Sequence, residues 1–359
     1  MYKRQLPIST FTIGNFEKAY NEAMDAKKIA NFLGTHHTEL YITEADYLSI
    51  VPEISEIYDE PFADSSQIPT YLVNKLAKQH ITVAVTGDGG DELFGGYNRH
   101  IFGEKIFHFF EKQPKFLKAT YVTFLKRFRS MVREKGPLYK ILEKKLHIGL
   151  LSDKIQKTLD SIAFSNNYES FYFYLTSIIK EDLTTLKAHL DCLPGDNFVK
   201  EYGFTNWMML SDTKTYLHND VLTKVDRASM RVSLETRTPF LDKEVFETAW
   251  KIPLQLKVKN KSGKNILKSL LKEKIPEDLF MNRPKTGFGI PLGSWLRGPL
   301  YQWAYDLLQT DTLSKFIDYD REKVNRMWES HQNGKFDYSQ GLWNIIILND
   351  WLNKNVKYS

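Results

Sequence analysis

The chain has 359 residues, 42% of them hydrophobic and 26% charged, with a formal net charge of +5. That suits one large globular domain with a buried core, and so small a charge with no concentrated Lys/Arg tract (Lys144-Lys145 sits beside Glu143 among apolar residues) argues against nucleic acid as a partner. No apolar run approaches the ~20 residues of a membrane span, no charged-then-apolar leader opens the chain, and the lone Cys192 forms no internal disulfide and fits a reducing cytoplasm.

Strand and helix signals alternate over residues 8–104. The segment Ile8-Ser-Thr-Phe-Thr-Ile-Gly14 is β-rich and closes on glycine. Residues 17–33 place Ala19, Ala23, Ala26, Ala30 and Leu33 at helical spacing, with Gly34 as the stop. A short strand is expected at residues 38–42. A helix over residues 44–58 presents Tyr47, Ile50, Val51, Ile54 and Ile57 on one face. Another helix opens at Pro69. The apolar run Ile81-Thr-Val-Ala-Val-Thr86 predicts a strand covered on both faces. This order argues for a parallel, doubly wound sheet.

Residues 105–200 read as helices rich in Phe, Tyr and Leu. Residues 205–275 read as helical, interrupted around Thr238-Pro239. Residues 276–299 carry so many Pro and Gly that an ordered loop is expected, and the tail from Tyr301 is helical again. The expected organisation is an α/β layer over residues 1–104 and a large helical lobe over 105–359 that returns to cover its site.

Three clusters could carry chemistry. The first is Val85-Thr-Gly-Asp-Gly-Gly-Asp-Glu-Leu-Phe-Gly-Gly-Tyr97. A buried strand delivers Thr86 and Gly87 to its carboxyl end, where ligands of open α/β sheets bind. Gly87, Gly89 and Gly90 let main-chain N–H groups approach phosphate oxygens. Asp88, Asp91 and Glu92 are hard oxygen ligands suited to Mg²⁺. A glycine turn whose acids cap the next helix is the alternative. Neither a Walker A loop, for which Gly263-Lys264 lacks the remaining residues, nor G-x-G-x-x-G is present.

The second cluster runs from Asp220 to Asp242. Lys224, Arg227 and Arg231 recur at three- and four-residue spacing, either a basic stripe with a ligand or a solvated helix face. Glu235 and Arg237 follow, and a buried ion pair is one reading of them. The third is Asn282-Arg-Pro-Lys-Thr-Gly-Phe-Gly-Ile-Pro-Leu292. There Lys285, in a proline-stiffened loop, suits charge stabilisation on a transferring phosphoryl group, or else is a surface lysine.

Taken together and in this order, these segments resemble the asparagine synthetase family. Tyr58-Asp-Glu-Pro-Phe-Ala-Asp-Ser-Ser-Gln-Ile-Pro-Thr70 and Thr10-Phe-Thr-Ile-Gly14 are similar to further family segments. The resemblance implies a parallel sheet of the ATP-pyrophosphatase type (adenine nucleotide alpha-hydrolase-like). It implies ATP and Mg²⁺, and adenylation of the aspartate side-chain carboxylate followed by amide formation with ammonia drawn from glutamine. It places Ile13 at the adenine pocket, and Thr86, Gly87, Gly89, Gly90 and Arg227 at the nucleotide. Asp91 holds Mg²⁺ on the pyrophosphate with Asp88 and Glu92 beside it, Lys285 stabilises the α-phosphate, and Glu235 is the matched acid near the acceptor.

Two family features have no counterpart. One is the Ser-Gly-Gly-x-Asp-Ser pyrophosphate loop expected before Ser9–Gly14. The other is an amino-terminal glutaminase domain with a terminal cysteine, a part that internal Cys192 cannot take. The chain therefore reads as a truncated synthetase domain, expected to be inactive and weakly folded or aggregated alone, with homodimer formation left open. A relative that adenylates another carboxylate, such as a β-lactam-forming synthetase, and a non-catalytic nucleotide-binding fragment are the competing readings.

Overall fold

Two pairs of short parallel strands frame the computed structural model, which describes residues 7–15, 22–114, 167–178, 193–281 and 289–356, with scattered positions between 116 and 165. Strand β1 (Ser9–Asn15) pairs in parallel with β2 (His36–Ile42), from Ser9 opposite His36 to Asn15 opposite Ile42. They are joined through helix α1 (Ala23–Leu33), which stops where Gly34 turns left-handed at φ 65°, a conformation that favours glycine. The expected apolar stripe of α1 is only partly inward: Ala23 and Ala30 are buried, whereas Leu33 is exposed.

After β2, the Thr43 hydroxyl accepts from the Asp46 N–H at 3.2 Å and the Asp46 carboxylate accepts from the Thr43 N–H at 2.8 Å, a reciprocal cap on α2 (Glu44–Ile50). The single helix expected over 44–58 is broken into α2, a 3₁₀ turn (Val51–Glu53) and α3 (Ile54–Ile57). Pro52 explains the break, since it has no N–H and its ring clashes with the preceding turn. The predicted face survives, with Tyr47, Ile50, Val51, Ile54 and Ile57 all buried. Helix α4 (Gln67–Lys78) begins two residues before Pro69, which its first turn tolerates.

Strand β3 (Val83–Val85) is half the length expected for residues 81–86, and it is not covered on both faces: Val83 is 46% and Val85 73% exposed. It has one partner among the described residues. This is β4 (Glu235–Arg237), which pairs in parallel from Val83 opposite Glu235 to Val85 opposite Arg237. The helical reading of 205–275 thus misses a strand, because Glu-Thr-Arg has no apolar alternation and becomes extended only by pairing with β3. Residues 276–299 likewise hold a short helix, Leu292–Arg297; the segment 282–288 lies outside the described residues.

The result is a helix-rich α/β architecture with two small parallel sheets, β1–β2 and β3–β4, that are not hydrogen-bonded to each other. Helix α4 packs on β1, and Phe11 stacks on His80 with ring centroids 5.6 Å apart, so the sheets are neighbours. The main core draws on Ile13, Ile42, Ile68 and Leu72 from the first hundred residues and on Trp295, Met327, Leu342 and Trp343 from the last seventy. The carboxyl-terminal helices, including Arg321–Gln332 and Ser339–Asn355, thus close over the layer that begins the chain. Among the described residues no helix is long and apolar enough to cross a membrane.

One core group is unusual. Lys257 is 1% exposed, and its ammonium lies 5.1 Å from the Trp250 ring centroid. Burial brings its pKa down from 10.5 to about 8. The folded chain therefore loses this proton before the unfolded chain does. Stability rises with pH across that window, from about 8 to 10.5, as far as Lys257 governs it. Lys257→Met should remove this rise and stabilise the protein at pH 7 by on the order of 2 kcal/mol. Denaturant midpoints at pH 7 and pH 10 check this; a lower midpoint for the variant at pH 7 would contradict it.

Candidate active site

A helix that precedes a parallel strand runs antiparallel to it, so its first turn lies where the strand ends. Helix α4 precedes β3, and the helix Thr223–Met230 precedes β4. These helices lie side by side, tied at their starts by the Lys224 ammonium on Asp64 and at their ends by Lys78 Nζ donating to the Ser233 carbonyl at 2.7 Å. Both starts, and the loop after β3, thus gather at the carboxyl ends of β3 and β4, the edge where open α/β sheets hold ligands.

The loop begins at Thr86, whose N–H donates to the Arg237 carbonyl at 2.8 Å. Its hydroxyl is buried with no hydrogen-bond partner among the described residues. Gly87 follows with open space where a side chain would stand. Gly89 and Gly90 meet a packing need as well. Gly89 has φ +85°, and a Cβ there would come within 2.6 Å of Leu241, while one on Gly90 would come within 3.1 Å of Phe240. Their smallness seats α5 (Gly90–Phe94) on the Pro239–Leu241 turn. Asp88 is half-buried.

Asp91 is ion-paired, with the Lys264 ammonium 3.1 Å from Oδ1. The pair is tightly framed. A Cβ on Gly96 would fall 1.8 Å from the Asp91 carboxylate, and one on Gly263 2.0 Å from the Gly95 carbonyl. Lys264 sits at φ 56°, and its N–H donates to the Phe94 carbonyl at 2.9 Å. A left-handed non-glycine residue costs about 1–3 kcal/mol and tends to persist at functional positions. Sequence reading set Gly263-Lys264 aside as a failed phosphate loop; the only available signal was the Gly-Lys pair itself.

Glu92 points inward. It is buried and accepts from the Tyr97 hydroxyl at 2.5 Å. Burial holds its carboxyl above the usual range, with the Tyr97 hydrogen bond opposing. The Tyr97 ring meets the Tyr216 ring edge-on at 5.8 Å, and the Arg99 guanidinium covers Tyr97 at 4.1 Å. Arg99 and His100, from α6 (Asn98–Glu111), and the Tyr172 hydroxyl all converge on fully buried Asp212, at 2.7, 2.6 and 2.6 Å. Burial alone would raise the Asp212 pKa; Arg99 and His100 outweigh it and hold the group below the carboxylate range.

Tyr216 lies on a ten-residue π-helical stretch, Thr213–Leu222. Four residues on, Asp220 Oδ1 lies 3.2 Å from the Lys224 ammonium that also binds Asp64. Burial would lower the Lys224 pKa, but the two carboxylates more than offset it and hold the lysine charged. Burial raises the Asp64 pKa, and Lys224 with Ser66 brings it below its usual value. Asp220 is pushed up to about 7, by burial first and the neighbouring Asp64 second. So Lys224, Arg227 and Arg231 do not form one stripe: Lys224 turns inward, while Arg227 and Arg231 are exposed and pair with Asp226 and Glu56.

The other expected residues lie elsewhere. Ile13 is in the core at 6% exposure. Glu235 opens β4, at the strand end away from Gly87. It forms an ion pair with Arg237 at 2.6 Å whose side chains are 52% and 68% exposed, so the pair is not buried. Lys285 and Cys192 lie outside the described residues. Among the described residues no set of three or more His, Cys, Asp or Glu side chains is gathered for a metal.

The asparagine synthase family model matches residues 1–353. Asparagine synthetase (glutamine-hydrolyzing) 1 of Bacillus subtilis is 32% identical over 351 residues, covering 98% of this chain and 52% of that protein. A putative asparagine synthetase (glutamine-hydrolyzing) of Mycobacterium tuberculosis is 31% identical over 355 residues, covering 96% of this chain and 50% of its own length. The Gibberella zeae amidase chry2 is 23% identical over 351 residues. The chain spans about half the length of the curated relatives it matches, and it belongs to the asparagine synthase family.

Proposed function

We propose that the chain is the synthetase half of a glutamine-dependent asparagine synthetase, a carbon–nitrogen ligase that activates the aspartate side-chain carboxylate with ATP. The observation that carries the reading is the loop after β3. Among the described residues it offers a buried Thr86 hydroxyl with no hydrogen-bond partner and open space at Gly87, at the carboxyl end of parallel strands. In this reading a carboxylate oxygen of aspartate attacks the α-phosphorus, pyrophosphate leaves, and ammonia then attacks the acyl carbon and releases AMP. Thr86 and Gly87 orient the phosphates, Asp88 lines the site, and Ile13 supports the adenine side from the core.

The residues fit Mg²⁺ in one specific way. Asp91 would supply one carboxylate, and phosphates and water would supply the rest, as is usual for Mg²⁺ at nucleotide sites. Bound there, it would neutralise pyrophosphate charge. The Lys264 ammonium now paired with Asp91 is the protein's own positive charge at that place. Glu92 is assigned to holding Tyr97 rather than to the metal, and Arg227 and Lys285 are assigned to the phosphates from the family resemblance alone. Glu235 is assigned to the acceptor side by the family resemblance alone, since it begins β4 at the strand end away from Gly87.

Among the described residues β1 and β3 have one partner strand each, which suggests how a doubly wound, ATP-pyrophosphatase-type sheet would be completed. A parallel strand supplied by polypeptide outside this chain, followed by the family's pyrophosphate loop, would pair with both edges and cover Val83 and Val85. Ammonia would come from a glutaminase domain in the same polypeptide. The test is ATP–pyrophosphate exchange by this chain alone and joined to the preceding half carried by its relatives. Aspartate-dependent exchange is expected only in the joined protein, with succinate and other carboxylates much weaker. Exchange driven equally by another carboxylate would favour a different acyl acceptor; none at all in the joined protein would overturn the reading.

A further inference from the structure

The side chains that converge on Asp212 take no part in the proposed reaction, yet they connect to the glycine-rich loop. We propose that Arg99 is a positioning residue: anchored by Asp212, it fixes Tyr97, and through Tyr97 it holds the α5 turn that carries Asp91. The inference rests on the proposed synthetase reading for what Asp91 does, and on geometry alone for how Asp91 is held.

The contacts start from a fixed base. Asp212 ends the helix Phe204–Asp212, which packs against α6, and it is fully buried. Its Oδ2 accepts from Arg99 Nε at 2.7 Å and lies 2.6 Å from His100 Nε2, while its Oδ1 accepts from the Tyr172 hydroxyl at 2.6 Å. Three partners on one buried carboxylate leave it, and the guanidinium it holds, little freedom to turn. That guanidinium lies over the Tyr97 ring, 4.1 Å from its centroid, well within the range of a cation–π contact. The Tyr97 hydroxyl then donates to Glu92 Oε1 at 2.5 Å. Glu92 is buried and adjoins Asp91 in the first turn of α5.

A second contact transmits the same placement. The Gly96 N–H donates to the Asp91 carbonyl at 2.8 Å, and a Cβ on Gly96 would fall 1.8 Å from Asp91 Oδ1. The carboxylate therefore rests on the turn just before Tyr97, and a shift of Tyr97 moves the surface on which Asp91 leans. A misplacement of about 1 Å, even from a change far from the chemistry, can cost about 10²-fold in rate. Arg99 can thus matter to the reaction without touching substrate. The burial of charge argues the same way. A buried ion pair is weak evidence for stability, since apolar side chains of similar volume often serve as well or better. Apolar packing would not supply a planar group held in one orientation against Tyr97. A lysine would keep the charge beside Asp212 and lose that plane.

Arg99→Lys and Tyr97→Phe, singly and together, test this in the protein joined to its preceding half. Hydrogen–deuterium exchange without nucleotide or metal is the first readout. Peptides spanning residues 86–97 should exchange about ten-fold faster in each variant, with α4 and the helix Ser339–Asn355 at parent rates. Aspartate-dependent ATP–pyrophosphate exchange is the second. Its kcat should fall about ten-fold or more, with the KM for aspartate within about two-fold of the parent. The double variant should be no worse than the worse single one, because both changes act through one path. Tyr97→Phe removes a single hydroxyl and serves should Arg99→Lys not fold. Parent deuterium rates over 86–97, additive losses in the double variant, or an equal rise in every peptide, the mark of a merely destabilised fold, would overturn the proposal. If the parent protein shows no aspartate-dependent exchange, the synthetase reading fails, and the deuterium rates still decide how the loop is held.

Discussion

Asp91→Asn is expected to lower aspartate-dependent ATP–pyrophosphate exchange by about 10²-fold or more, the scale for losing a preorganised electrostatic contact, in the protein joined to its preceding half. The argument is electrostatic and steric. Asp91 is the loop carboxylate that lies beside Lys264 and is partly open to solvent. Asparagine keeps the planar shape that the Gly96 contact requires while removing the charge that would hold Mg²⁺ on pyrophosphate. The melting temperature should stay near that of the parent, because the ion pair with Lys264 is partly exposed and such pairs contribute little. Near-normal exchange would refute the assignment, and a collapsed melting transition would mark Asp91 as structural.

The largest stability effect is expected at Asp64. Asp64→Ala leaves Lys224, nine-tenths buried, with Asp220 as its remaining carboxylate at 3.2 Å. Breaking a buried pair from one side typically costs about 3–5 kcal/mol. The same contact fastens the start of α4 to the start of the following parallel helix, so its loss also loosens the wall that carries the ligand-side loops. Lys224→Met in the Asp64→Ala background should recover part of the loss, because it removes the stranded charge. Urea midpoints for the single and double variants measure this. A loss under about 1 kcal/mol, within the range of exposed pairs, would show that solvent already screens the cluster.

Local chemistry explains which features were legible in the sequence. The Gly34 stop, the inward face of residues 44–58 and the β1–β2 pair follow from periodicity and from glycine, and they appear where expected. The break at Pro52 lengthens nothing and shifts no face, so pattern alone treated it as one helix. Strand β4 was invisible because Glu235, Thr236 and Arg237 acquire an extended shape only from β3, a partner about 150 residues away. Lys224 was grouped with Arg227 and Arg231 by spacing, yet tertiary contact with Asp64 turns it inward. Lys264 carried no motif, and its role becomes visible only when Gly95, Gly96 and Gly263 bring it to Asp91. The glycine-rich turn after β3 lies where the sequence puts it, and the contacts of Gly89 with Leu241 and of Gly90 with Phe240 add a packing reason for two of its glycines that no local pattern shows.

The chain alone is expected to be weakly folded or aggregated, and among the described residues β1 and β3 have one partner strand each. Much of the core, however, joins Ile68 and Leu72 to Trp295, Leu342 and Trp343, and it closes without either edge. Exposed Val83 and Val85, on a strand with one partner among the described residues, favour the aggregation part of that expectation, since such edges template pairing between chains.

Activation of the acceptor carboxylate by transfer of AMP is the central claim, and isotope transfer tests it most directly. Aspartate labelled with ¹⁸O in its side-chain carboxylate is turned over with ATP and ammonia by the protein joined to its preceding half. The attacking oxygen becomes the bridge to phosphorus and leaves with AMP when ammonia displaces it, so AMP should carry one ¹⁸O and pyrophosphate none. Unlabelled AMP, or label in inorganic phosphate with ADP as the nucleotide product, would contradict the account.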